Sequence, residues 1–403
     1  MKCNTFLCLS VLSLLLIACN TQGAENADKN EVILEEQTEK WEVTDILGNK
    51  VILDVNNVPE MDDEVRMVST EYPDNYAQVY DGHYYYMEYK DNLYTIYMDH
   101  GTKVGSFERC ADVFRLQKCV KYGGDFYVIY SGRFGEIDFK NQKIKRLFKI
   151  DVGSSGASIC HNQLFLPDFD GYTGIYSCDF QGNYNKKFKP PHMPEEYKYW
   201  YGAKVPIAID KKNIYYNMID PEGKKVQVIY VNQNTGEMGQ VFEYTRDVQS
   251  EYVGSKFSLN RIAKYDDTIY IEETVRDYSH CLYIIDGKRK KMQKVTSSIK
   301  DWTISEQYVF YTDQKDTIHR WDKETEEDKV ISKIKAYDIK WVGDELYVQE
   351  YNDYYDVDEE EIEITVDSGM DYSADEFYKM LEAGKMDIYT MDFDGGNIKK
   401  IGL

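Results

Sequence analysis

The sequence predicts an all-β fold: a β-propeller of seven four-stranded blades, with six or eight as the alternatives, and one short helix in an insertion of the last blade. Three observations lead there. A short unit recurs at a spacing of roughly 40 to 55 residues, the mark of a repeat architecture. Between the recurring anchors lie runs rich in Val, Ile, Tyr and Phe, bounded by Gly, Asn and Asp, which are strand and hairpin signals. Helical periodicity is nearly absent along the chain.

The first residues read as a processing signal. Lys2 supplies a positive start, and Phe6 to Ala18 forms an apolar run too short to span a hydrocarbon core of about 30 Å. It ends in Leu16-Ile17-Ala18-Cys19, which resembles the lipobox of bacterial lipoproteins. The resemblance implies a signal peptide over 1–18, a lipidated Cys19, and anchorage to the cell membrane or an outer membrane by more than one acyl chain. Residues 19–40 are polar and acidic, a composition that forms no core. They are expected to act as a tether whose ends lie roughly 25 Å apart. The propeller is assigned to 41–403. Within it, 41–72 carries three strand-like runs, Trp41-Glu42-Val43, Lys50 to Leu53 and Val65 to Val68, read as a partial blade or closing strands.

The repeat unit opens with a tight turn and an apolar–aromatic pair. Its copies are Tyr84-Tyr85, Phe126-Tyr127, Leu164-Phe165, Ile214-Tyr215, Ile269-Tyr270, Val309-Phe310 and Leu346-Tyr347. A second pair follows in most copies and runs into an acidic or amide turn: Ile96-Tyr97 before Asp99, Ile175-Tyr176 before Asp179, Ile229-Tyr230 before Asn232, Leu282-Tyr283 before Asp286, and Ile388-Tyr389 before Asp392. Ile137-Asp138 and Ile318 with Trp321-Asp322 are the reduced versions. Each copy therefore reads as four antiparallel strands, one blade. Stacked blades explain most of the 37 tyrosines as filling between sheets.

The final copy, Met386 to Ile398, resembles the "IYxMDxDGxN" repeat of TolB-type bacterial propellers. The second-strand anchors are similar to those of uncharacterised lipoproteins with low-density-lipoprotein-receptor-like (YWTD-type) propellers. The likeness covers about residues 75 to 403 and speaks to architecture.

Composition narrows the partners. A formal net charge of −23 repels nucleic acid, whose phosphates need Lys and Arg. Lipid contact is expected through the Cys19 anchor alone. Cys110 with Cys119, and Cys160 with Cys178, are close enough in sequence to bridge neighbouring strands. No Cys-x-x-Cys pair supports zinc or redox chemistry.

Two stretches depart from the repeat, from Lys189 to about Ala203 and from about Tyr351 to Lys385. Strand parity puts both at the same end of the ring, and long loops on a rigid frame are where binding concentrates. The first carries Tyr197, Tyr199, Trp200 and Tyr201, suited to stacking on sugar rings or a partner's side chains. Packing on the propeller itself is the alternative. The second carries Tyr354 and Tyr355 among the carboxylates Asp353, Asp356 and Asp358. These three are the weak candidates for Ca²⁺; no EF-hand spacing is present, and a solvated acidic loop is the simpler reading. Ser373 with Glu376 forms a capping box for a short helix ending at Gly384. Asp392-Phe393-Asp394-Gly395 reads as a hairpin turn rather than a metal loop. Neither a Gly-x-Ser-x-Gly elbow nor a His-Glu-x-x-His helix occurs.

The expected function is a non-enzymatic binding or scaffold module of the cell envelope, contacting a protein or glycan and needing no cofactor. The alternative is a propeller enzyme acting on envelope or extracellular polysaccharide through paired carboxylates.

Overall fold

The structure is a computed structural model. It describes residues 39–60, 77–90, 93–108, 116–130, 133–149, 158–160, 163–167, 175–188, 201–202, 207–246, 258–276, 279–350 and 387–401. Thr38–Leu403 forms one unit. Among the described residues the only helix is a 3₁₀ turn at Val55–Asn57.

Among the described residues the strands fall into seven sheets, each built on a run of consecutive antiparallel strands, one of them extended by an N-terminal hairpin. An N-terminal hairpin pairs β1 (Lys40–Thr44) with β2 (Lys50–Asp54). The first sheet follows with β3 (Ala77–Tyr80), β4 (His83–Lys90), β5 (Leu93–Met98) and β6 (Thr102–Glu108). The second has β7 (Leu116–Tyr122), β8 (Asp125–Tyr130), β9 (Arg133–Asp138) and β10 (Lys143–Lys149). The third has β11 (Ser158–Cys160), β12 (Gln163–Pro167), β13 (Ile175–Asp179) and β14 (Tyr184–Phe188). In the fourth, the short β15 (Tyr201–Gly202) and β16 (Ala208–Ile209) both pair with β17 (Asn213–Ile219), beside β18 (Lys225–Asn232) and β19 (Met238–Thr245). The fifth has β20 (Ser258–Tyr265), β21 (Thr268–Arg276), β22 (Ser279–Asp286) and β23 (Lys291–Ile299). The sixth has β24 (Trp302–Ile304), β25 (Tyr308–Thr312), β26 (Ile318–Asp322) and β27 (Asp328–Ser332). The seventh has β28 (Ala336–Val342), β29 (Glu345–Glu350), β30 (Asp387–Met391) and β31 (Lys399–Ile401).

Local chemistry sets these hairpins. Asp81 and Gly82, both at positive φ (50° and 73°), form the two-residue turn that suits the twist of β3 and β4. At the ends of third strands, an Asp carboxylate folds the turn over itself. Asp179 accepts the Gln181 and Asn183 N–H groups at 3.0 and 2.8 Å. Asp392 does the same for Asp394 and Gly396 at 3.1 and 2.7 Å, so this segment is the hairpin turn expected of it.

The apolar–aromatic pair has a simple geometric meaning. Successive side chains of a strand point to opposite faces, so each second strand serves two neighbours. Tyr85 packs with Phe126 of the second sheet; Tyr127 packs with Leu164 of the third; Phe165 packs with Ile214 of the fourth. Tyr215 shares a core with Ile269 of the fifth, Tyr270 with Val309 of the sixth, and Phe310 with Leu346 of the seventh. Tyr347 then meets Tyr84 of the first sheet, their rings stacked at 4.5 Å. In every copy the first member faces the preceding sheet and the second faces the following one. The result is a propeller-like ring of small sheets. Their first strands neighbour one another, as β24 does β28, β28 does β3, and β3 does β7.

The N-terminal hairpin joins the fifth sheet: Thr44 pairs in parallel with Lys291. Val43 and Leu53 are fully buried in the core between the fourth and fifth sheets. The Trp41 ring lies against Gly287, where an added Cβ would come within 2.4 Å of it, and Lys290 sits 3.5 Å from its centroid. The expected third strand at Val65 to Val68 lies outside the described residues. Cys119, Cys178 and Cys281 are free and buried; of the two pairs close enough in sequence to bridge, neither Cys119 nor Cys178 is bonded, and each of these two thiols fills an apolar core.

Candidate functional site

Ionisable side chains collect at the end of the ring where the first strands begin. Asp301 immediately precedes β24. Its Oδ2 accepts the Ile339 backbone N–H at 2.9 Å and the Lys340 Nζ at 2.9 Å. Lys340 also donates to Asp338 and to the Ile339 carbonyl at 3.0 Å. Next to this group, Thr303 Oγ1 accepts the Trp341 N–H at 3.0 Å. Side chains of the sixth sheet thus satisfy the outward N–H groups of β28, which no further strand pairs. Burial pushes the Asp338 carboxyl up to about 6, against the pull of Lys340 and with help from the Asp301 charge. Asp301 moves the other way. Burial opposes its charge, but Lys340 and the Ile339 N–H outweigh it and hold the carboxyl below its usual range.

A second group lies on the fifth and sixth sheets. Glu272 of β21 meets His280 Nδ1 at 2.6 Å and accepts the Trp302 indole N–H at 2.8 Å. The Arg261 guanidinium lies 5.1 Å from the Trp302 ring. Burial works against the Glu272 charge, yet His280, Arg261 and Trp302 together bring its carboxyl down to about 2. Deeper, Arg246 and Glu273 make an ion pair at 3.0 Å with both side chains 1% exposed.

Chemically, these groups serve one another. A lysine ammonium has three hydrogens to donate, and the three acceptors of Lys340 are Asp301, Asp338 and the Ile339 carbonyl. One ammonium bridging both acids ties this pair of carboxylates to the protein itself. Among the described residues, no group of three or more His, Cys, Asp or Glu is arranged to hold a metal ion.

Comparison with known proteins adds little. No family model matches the chain, and no curated protein does. Among solved structures, BamB from Moraxella catarrhalis is 12% identical, with 84% of this chain and 88% of that one covered and a TM-score of 0.42. The N-terminal domain of Nup159 is 9% identical over 73% and 90%, with a TM-score of 0.41. PorZ, a surface component of the type-IX secretion system of Porphyromonas gingivalis, is 9% identical over 84% and 39%, with a TM-score of 0.43. Likenesses of this size carry no argument; the architecture rests on the strands of this chain.

Of the residues singled out from sequence, Tyr197, Tyr199, Trp200, Tyr354, Tyr355, Asp353, Asp356, Asp358, Cys19 and the short helix lie outside the described residues. Tyr201 contributes its backbone to β15, opposite Ile219. The base of the larger insertion is described. Glu350 and Asp387, the described residues on either side of it, are direct cross-strand partners, at the end that carries Asp301 and Glu272. Sequence reasoning missed the Asp301–Asp338–Lys340 and Glu272–His280–Trp302 groups. The one local signal was Asp338 alternating with Lys340 in a strand of otherwise apolar character.

Proposed function

We propose that this chain is an exported lipoprotein, held to its membrane by lipidated Cys19, whose domain is a closed seven-bladed propeller of the TolB-like or YWTD kind. It acts as a non-enzymatic binding or scaffold module for a protein or glycan of the cell envelope. The observation that carries this reading is the use to which the polar end of the ring is put. Its carboxylates are engaged in holding sheet to sheet, as Asp301 is on β28, which suits a rigid frame. Support for seven blades comes from the pair rule, which gives every second strand one preceding and one following partner. The two insertions, with Tyr199 and Trp200 on one and Tyr354 and Tyr355 on the other, supply the contact surface. Twelve carboxylates against two lysines in 351–386 favour a basic partner surface.

The test uses the chain with Cys19→Ser beside the unmodified one. Metabolic palmitate labelling should mark the unmodified chain only; equal labelling of both removes the anchor. Purified cell-wall glycans, extracellular polysaccharides and basic envelope proteins are then screened for binding, with a Tyr199→Ala, Trp200→Ala variant alongside. Specific capture lost in the variant supports the binding module. Release of shortened glycan moves the reading to the polysaccharide-acting enzyme.

A further inference from the structure

The Asp301 group spans more of the ring than a simple ion pair. Asp301 belongs to the connection from the fifth sheet to the sixth, whereas Asp338 and Lys340 belong to the first strand of the seventh. Tyr84, from the first sheet, reaches the same place: its hydroxyl feels the Asp338 charge and the Gln349 side chain. Gln349 stands directly opposite Asp338 in the β28–β29 register and is 3% exposed. Both Asp338 Oδ2 and Gln349 Oε1 are buried without a hydrogen-bond partner. The Tyr84 hydroxyl, buried there too without a partner, has one hydrogen for one of these acceptors; Lys340 has none left to give, and a proton on Asp338 supplies another.

We propose that Asp301, Asp338 and Lys340 form an acid-responsive clasp, which grips the closing side of the ring when the two carboxyl groups share one proton and slackens when both are ionised. With a proton on Asp338, the charges are one carboxylate and one ammonium, and Asp338 gains a hydrogen to donate. Without it, two carboxylates compete for one ammonium at a buried position, and an uncompensated buried charge is costly. Lys340 then shifts toward Asp338, and the hold of Asp301 on Ile339 weakens.

Among the described residues of the surrounding elements, the nearest charges in the chain are paired with one another: Lys300, beside Asp301, pairs with Asp316. β24 (Trp302–Ile304) has no ionisable residue. In β25, Tyr311 donates to Asp328 and Tyr308 stacks on Phe393. In β3, the Tyr80 hydroxyl is engaged by the Gly123 N–H. In β29, Glu345 pairs with His100 at 3.1 Å, Tyr347 stacks on Tyr84, and Glu350 lies at the strand end opposite Asp387. Burial lifts the Tyr84 hydroxyl well above its ordinary value, so it stays neutral throughout.

The sign follows from the carboxyl values. Asp338 titrates near 6 when folded and near 3.9 when unfolded. Its stabilising contribution is complete below about 4 and is lost as pH rises through 6. The lowered Asp301 acts only below about 4, outside this window.

The Ile339 amide reports the clasp directly, because its N–H donates to Asp301. Amide hydrogen exchange of the full chain, corrected for the intrinsic rate, is followed from pH 5 to 7.5. Protection of Ile339 should fall at least about tenfold across that range. It should stay high and flat in Asp338→Asn, whose amide keeps a hydrogen to donate. Protection of Leu282, in the interior of the fifth sheet, should not change between the two chains and shows that the variant is folded. Carboxyl carbon shifts of the unmodified chain should also show one aspartate titrating near 6. The proposal is overturned by flat Ile339 protection in the unmodified chain, by a fall that persists in Asp338→Asn, or by the lack of such an aspartate. Loss of Leu282 protection in the variant leaves the decision to the carbon titration.

Discussion

Removing Arg246 is the sharpest test of how the ring is held. Its guanidinium and the Glu273 carboxylate are each 1% exposed. Nε donates to Glu273 Oε2 at 3.0 Å and Nη1 to the Gly223 carbonyl at 3.3 Å, while the Tyr244 hydroxyl donates to the other carboxylate oxygen. Arg246→Ala leaves the carboxylate with the Tyr244 hydroxyl donating to it and no compensating charge, which costs about 3–5 kcal/mol for a dry pair. An unfolding entropy of about 2.1 cal/mol/K per residue gives ~0.8 kcal/mol/K over the domain, so Tm should fall about 5 °C. Calorimetry and urea unfolding of Arg246→Ala, Glu273→Ala and the double variant Arg246→Met, Glu273→Leu measure this. The double variant should recover most of either single loss, because apolar side chains replace the whole pair. Single losses below about 1 kcal/mol, the range of exposed pairs, would refute the reasoning.

Other consequences are open to equally direct measurement. Gly287→Ala would place a Cβ 2.4 Å from both the Asp267 carbonyl and the Trp41 ring, and should cost about 1–3 kcal/mol in urea unfolding. Glu272, held near 2, contributes stability above about 4.5 that is lost as pH falls toward 2. Glu272→Gln should flatten that acid limb by about 3 kcal/mol in unfolding free energy. Burial raises the thiols of Cys119, Cys178 and Cys281, the second to about 11. Iodoacetamide at pH 8 should therefore leave all three unlabelled until the chain is unfolded.

The sheets were legible because their signal is local. Turn residues and the apolar–aromatic pair sit within a few positions of each other, and every one of the seven pairs falls in the second strand of a sheet. The pair exists because Tyr84 and Tyr85, or Ile269 and Tyr270, must feed two different cores. Addresses were not legible. Trp41-Glu42-Val43 has the period of any half-buried strand, and nothing in those residues names β23 as its neighbour. The candidate site was hidden for the same reason. Asp301 and Lys340 are brought together by sheets that must form first, and Glu272 looks like any surface carboxylate until His280 and Trp302 close on it. The state of the cysteines was not legible either, since nearness in sequence says nothing about which of two opposite faces a thiol occupies.

The long reach of the N-terminal hairpin has a consequence in time. Thr44 must wait for Lys291, roughly 250 residues later, which at 5–20 residues per second is about 12–50 s of synthesis. Until the fifth sheet is made, the core that Trp41, Val43 and Leu53 enter is incomplete, while earlier sheets can already assemble from neighbours in the chain. This early hairpin is thus among the last elements to settle. A nascent chain stalled before the fifth sheet would carry an adhesive apolar end, and an escort that shields such ends would matter most during that window.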